Sequence, residues 1–136
     1  MSLPLADIAE AVFDRLDSEL DEQVVYAGAN EVGPRYVAIQ QPSSTSEDTK
    51  TSEKQRVTLT LRCHTEAPAG QGQPLKSMRL ANDVNDALQP TLDLGADHAL
   101  LYLPSPDHTE SEYSIDEATK AYDIILRYDL RTQHTP

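Results

Sequence analysis

The 136-residue chain has no tryptophan, one phenylalanine and one cysteine. A lone cysteine, Cys63, excludes an internal disulfide framework and fits a reducing compartment. Basic residues are scarce: 11 Lys and Arg stand against 23 Asp and Glu, for a formal charge of −12 at pH 7 and a pI near 4.5. Nucleic-acid binding needs Lys and Arg to displace counterions, so this balance excludes a tight nucleic-acid surface, and it disfavours docking on an anionic membrane. Long apolar runs are also missing. The longest covers residues 99–103, against the ~20 residues that span a bilayer. No basic residue precedes Arg15, and Asp7 and Glu10 interrupt the first apolar stretch, so no secretory signal is expected. The chain reads as a soluble protein made in a cytoplasm, with length for one domain over residues 1–136 and its own core.

What is present is periodicity. Leu5, Ile8, Val12, Phe13, Leu16 and Leu20 recur at intervals of three and four, one stripe of an amphipathic helix, with Ser2 as a candidate cap and Pro4 in a position the first turn tolerates. Val24, Val25 and Tyr26 suggest a short strand, followed by a loop punctuated by Gly28, Asn30 and Gly33-Pro34. A strand follows over residues 35–40, ended by Pro42. Val57, Leu59, Leu61 and Cys63 then alternate with Arg56, Thr58, Thr60, Arg62 and His64, the pattern of a half-buried antiparallel strand. Between these two strands, residues 43–56 carry no apolar side chain. Such a long polar excursion predicts a hairpin arm projecting beyond the sheet, either a solvated loop or a partner-binding element.

Residues 67–73 read as a turn around Pro68, Gly70 and Gly72. Pro74 opens a second helix with an expected stripe of Leu75, Met78, Ala81, Val84 and Leu88, and Pro90 lies beyond its end. Residues 97–103 suggest a strand buried on both faces, and residues 107–117 an acidic loop. The last strand covers about residues 118–131, with Tyr122, Ile124, Leu126, Tyr128 and Leu130 inward and Lys120, Asp123, Arg127 and Asp129 largely outward, leaving residues 132–136 as a tail. Two helices and a mainly antiparallel sheet define an α+β fold, a two-layer sandwich with both helices on one face. The opposite face, with Thr58, Thr60, Arg62, Ile125 and Arg127, is a mixed surface suited to subunit contact.

Catalytic patterns are weak. Cys63 shares the core-facing side of its strand and is expected to be an inert thiol, and His64 points to the other face, so the two form no pair. His64, His98, His108 and His134 lack helical i, i+4 pairing or a Cys-x-x-Cys partner, so no zinc site and no other metal or cofactor is expected. Gly70-Gln71-Gly72 precedes a helix but lacks the lysine and third glycine of a phosphate cradle and reads as a turn. Asp83 and Asp86 read as a solvated helix face, and nothing spaces Asp14, Asp17, Asp21 and Glu22 like a calcium loop. An enzyme is not expected.

The order of the segments carries more. A short first helix leads into a Val-Tyr strand, a Gly-Pro turn and Arg35-Tyr36-Val37-Ala38-Ile39. A polar loop then runs into Arg56-Val57-Thr58-Leu59-Thr60-Leu61-Arg62-Cys63-His64, a helix follows over residues 76–88, and the chain closes on Ala121-Tyr122-Asp123-Ile124-Ile125-Leu126-Arg127-Tyr128. Over nearly its whole length this resembles the tail-completion, or tail-terminator, family of long-tailed phages and related tailed viruses. The 107–117 loop departs from the family pattern in lacking a glycine turn.

The resemblance implies a non-enzymatic virion protein at the tail–neck junction, assembled in the host cytoplasm. It would form a ring, typically hexameric, that ends the tail tube and joins it to the head–neck connector. Its partners would be further copies of itself, the major tail tube protein and the connector, with DNA passing through the lumen unbound. By position, contacts would fall to Glu47, Asp48, Lys50, Glu53, Lys54 and Arg56 of the arm and to Arg62 and Arg127. Six copies carry a formal charge of about −72, and acidic lumen walls repel DNA within a Debye length. The small lysine content and the many carboxylates equally suit a salt-adapted host. Two other readings stand beside this one: another neck or head-completion connector, and a small dimeric ligand-binding or regulatory domain with an apolar pocket.

Overall fold

A computed structural model describes residues 4–29, 32–46, 54–68, 74–89, 92, 94, 95, 98–102 and 106–134. Its elements run α1 (Leu5–Glu19), β1 (Gln23–Tyr26), β2 (Arg35–Ile39), β3 (Ser43–Ser46), β4 (Lys54–Pro68), α2 (Leu75–Leu88), β5 (His98–Tyr102), β6 (Asp107–Ser114) and β7 (Thr119–His134). The expectations for Ser2, Asn30, the Gly70–Gly72 turn and Pro90 fall outside the described residues.

β4 and β7 are the spine. They pair antiparallel without interruption from Lys54↔Gln133 to Pro68↔Thr119. Inward-facing partners meet in that register as Val57↔Leu130, Leu59↔Tyr128, Leu61↔Leu126 and Cys63↔Ile124, all buried. The period of two therefore places both apolar rows on one side of the sheet. Each spine strand is flanked by two shorter strands laid end to end. β2 and β3 follow β4, whereas β6 and β5 follow β7. The path is β1-β2-β4-β7-β5, with β1 parallel to β2 and the other pairings antiparallel.

Both helices cover the inward face. Ile8, Val12 and Leu16 of α1 are fully buried, one below the other at i+4 spacing, and join a core with Val37, Ile39 and the inward residues of β4 and β7. Burying each such side chain contributes on the order of 2 kcal/mol. Pro4 takes the N-cap position, and its carbonyl accepts the first helical bond from the Ile8 amide at 3.0 Å. Phe13 stacks on Tyr26 at 5.3 Å, which ties α1 to β1. From α2, Leu80, Ala81, Val84 and Leu88 enter the core, and the Tyr128 hydroxyl donates to Asn85 Oδ1 at 2.9 Å.

Several expectations are corrected. The buried side of α2 is Ser77, Leu80, Ala81, Val84 and Leu88, whereas Leu75 is 58% and Met78 37% exposed. At ~100° per residue, Leu75 lies roughly 160° from the centre of that stripe and Met78 roughly 100°. The start of the polar stretch after Pro42 is a strand: β3 pairs Ser43–Ser46 with residues 55–58 of β4. β2 ends at Ile39, before Pro42, as expected, and between Ile39↔Leu61 and Ser43↔Thr58 three residues oppose two. Residues 47–53 of the arm lie outside the described residues.

The acidic loop expected over residues 107–117 is also largely a strand. Every residue of β6 is exposed, so it has no apolar alternation to announce it; its pairing with β7 makes it a strand. The turn after it needs no glycine, because the Asp116 carboxylate accepts the Ala118 amide at 2.8 Å. β7 continues through the expected tail to His134, with Thr132 fully buried. Leu100 of β5 is only half-buried, and Asp97 and Leu103 lie outside the described residues.

Candidate functional site

With both helices on one side, the outward face of β2, β4, β7 and β6 carries the side chains of even-numbered β4 residues and odd-numbered β7 residues. The alternation in the sequence forms this face, and the β4–β7 register brings its charges together. Arg62 lies diagonal to Asp123, its Nε donating to Oδ2 at 3.0 Å and its Nη2 reaching the same oxygen. The Arg62 Nη2 also donates to the Tyr113 hydroxyl at 2.8 Å, linking β4 to β6 across β7. His64 faces Asp123 directly, with Nδ1 2.6 Å from Oδ1, and its Nε2 lies 2.8 Å from Glu66 Oε2. Tyr36 stacks on the imidazole at 4.6 Å.

These contacts move the protonation equilibria. Burial opposes charge on His64, but the hydrogen bonds and negative charges of Asp123 and Glu66 outweigh it and raise the pKa above its ordinary value. Burial likewise opposes charge on Asp123, and there His64 and Arg62 prevail and lower the pKa. With a carboxylate against each ring nitrogen, the site favours the imidazolium form of His64, which donates on both sides. In that form the ring has no free lone pair with which to take a proton from a substrate. Cys63 is fully buried, and burial together with the Asp123 charge pushes its thiol up to about 12.

A second cluster lies along the same face. Arg56 donates from Nε and Nη2 to both oxygens of Asp129 at 2.7–3.1 Å, and Arg131 Nη1 reaches Asp129 Oδ1 at 3.0 Å. The side-chain bonds of Arg56, and after them the charges of Arg131 and Arg56, lower the Asp129 pKa. Arg127, between the two clusters, is exposed and pairs with no carboxylate among the described residues.

Of the expected contact residues, Arg56, Arg62 and Arg127 share this face, and Lys54 occupies the same parity at the start of β4. Glu47, Asp48, Lys50 and Glu53 lie outside the described residues. Asp123 is corrected: it points outward as expected but is 3% exposed, and His64 beside it is 4% exposed, because Tyr36 and Arg62 cover them. Sequence reasoning missed Tyr36, Glu66, Tyr113, Asp129 and Arg131. For Glu66, Asp129 and Arg131 the signal was charge at outward parity, which acquires partners only through the register.

Elsewhere, an open groove of about 250 Å³ separates α2 from β6, with Met78 and Ile124 beside Glu110 and Glu112. Among the described residues no three His, Cys, Asp or Glu side chains are grouped to hold a metal ion, and no helix is long and apolar enough to cross a membrane.

No protein-family model matches this sequence, and no curated protein matches it. Among solved structures, one described as the virion of a native gene transfer agent (GTA) particle contains a chain of the same fold. The superposition has a TM-score of 0.71 at 19% sequence identity and covers 96% of this chain and 99% of that one. The shared fold is thus an α+β sandwich matched almost end to end.

Proposed function

We propose that this chain is a structural virion protein that closes into a ring, a hexamer, on the upper end of a tail tube and joins the tube to the head–neck complex. The observation that carries this reading is the end-to-end match of fold with a chain of a gene transfer agent virion, in which neither chain has a large part unmatched. The bare outward sheet face, with its preorganised arginines, supports a role in contact rather than catalysis. The formal charge of −12 per copy gives a lumen that DNA passes without adhering.

In this role the ring stops growth of the major tail tube protein and offers its other side to the connector. Deleting the gene from a particle-producing strain tests the assignment. Overlong tubes detached from heads are expected. Tubes of normal length that lack heads would instead favour a neck connector, and intact particles would exclude both roles.

A further inference from the structure

The two faces of the sandwich carry opposite charge. On the outward face of β4, β7 and β6 stand Lys54, Arg56, Arg62, Arg127 and Arg131, five of the chain's 11 Lys and Arg, against Glu66, Asp123, Asp129 and Asp107, the last opposite Arg127 in register. A protein of formal charge −12 thus presents a net positive sheet face. On the other side, α1 carries Asp7, Glu10, Asp14, Asp17 and Glu19 against Arg15 alone. The Arg15 guanidinium is turned inward onto the Ala87 carbonyl at 3.0 Å, while Glu10, Asp14, Asp17 and Glu19 face solvent. The negative potential there is felt at Tyr26, whose phenol is raised above its ordinary range by burial and by Glu10 and Asp14.

An antiparallel sheet can leave one face in water, and that alone needs no partner. Solvation does not explain why the cations of so acidic a chain collect on this face. Nor does it explain why Arg56 and Arg62 are fixed by bidentate and two-point hydrogen bonds instead of ranging freely. Fixed guanidinium groups lose less side-chain entropy when a second anion arrives.

We infer that the arginine-bearing sheet face of one copy docks against the carboxylate-bearing α1 face of the next. The contact is heterologous, using two different patches on opposite sides of one molecule. Repeated with a constant rotation, it closes into a ring of alternating sheet and helix layers. Charge complementarity of this kind sets orientation and association rate, and salt weakens it. The inference rests on the ring reading above and specifies which faces meet.

Charge reversal tests it. Arg127→Glu alters an exposed side chain with no ion pair among the described residues, and Asp14→Lys with Asp17→Lys alters two exposed helix positions. Each variant, alone at low ionic strength, is expected to lose association by about tenfold or more in native mass spectra and sedimentation, with unchanged circular dichroism. Because each addresses a different side of the contact, a folding defect in one leaves the other informative.

Mixed one to one, the two variants are expected to recover the larger assemblies. At one contact the native arginine face of the helix variant meets the native acidic helix of the R127E copy, and at the next the two charge-reversed faces meet. Combining all three substitutions in one chain is expected to restore larger assemblies. Wild-type rings with an equally competent R127E would overturn the face assignment and leave the ring standing, whereas wild-type protein that stays monomeric both alone and with its tail tube protein would overturn both.

Discussion

His64 and Asp123 oppose each other at one register position of β4 and β7, Nδ1 2.6 Å from Oδ1, and both side chains are shielded from water on a face that no helix covers among the described residues. The pair is stable there because each charge is answered more than once: Asp123 by His64 and Arg62, and His64 by Asp123 and Glu66. Removing a single member leaves the others uncompensated, whereas the complete set is close to neutral.

Stability is therefore expected to fall on the alkaline side. A group whose folded pKa lies above its unfolded value contributes stability that is complete below the unfolded value and is lost as pH rises through the folded one. For His64 that loss begins above about 6.5, the ordinary histidine value. Denaturant midpoints measured between pH 6 and 9 are expected to decline in the wild type and to be flatter in His64→Gln. Equal slopes in the two proteins would contradict the imidazolium assignment.

Asp123 acts in the opposite sense. Its lowered pKa contributes stability above its unfolded value near 3.8, lost as pH falls through the folded one. Replacing it with asparagine is expected to cost about 3 kcal/mol near neutral pH, the scale for removing one partner of a buried pair. A cost within about 0.5 kcal/mol, the range of ordinary surface substitutions, would mean the cluster is solvated rather than closed.

The phase of α2 is testable by a pair of truncations. Leu80→Ala opens a cavity in the core and is expected to cost roughly 3 kcal/mol, whereas Met78→Ala alters a part-exposed side chain and is expected to cost well under 1 kcal/mol. Comparable losses at the two positions would restore the stripe first read from the sequence.

Cys63 reports on the same core. Buried, with its thiol pushed up to about 12, it is expected to react with a disulfide reagent only when β4 separates from the helices, at a rate that follows global unfolding. Rapid labelling of the native protein would contradict that placement.

The acidic surface has a separate consequence. Glu10, Asp14, Asp17 and Glu19 are exposed on one helix, so like-charge repulsion is expected to fall and the melting temperature to rise with potassium chloride. A midpoint indifferent to molar salt would count against adaptation to a saline host.

The apolar alternation of β4 and β7 and the stripe of α1 were legible because burial on one side writes a period into the sequence, and the α+β sandwich followed from their order. β6 was not legible, since a strand exposed on both faces has no period to read. The stripe of α2 was legible at Ala81, Val84 and Leu88 but not at its start, where Leu75 and Met78 satisfy helical spacing on an exposed flank. Arg62, His64 and Asp123 were each placed on the outward face, but their closure into one buried cluster depends on the β4–β7 register, which joins residues about 60 positions apart.

The central claim is assembly, and native mass measurement with negative-stain imaging of the purified protein, alone and with its tail tube protein at low and high salt, tests it most directly. A ring of six copies around a central hole, or its appearance on tube ends, is the expected result. A monomer or dimer under every one of these conditions would contradict the account.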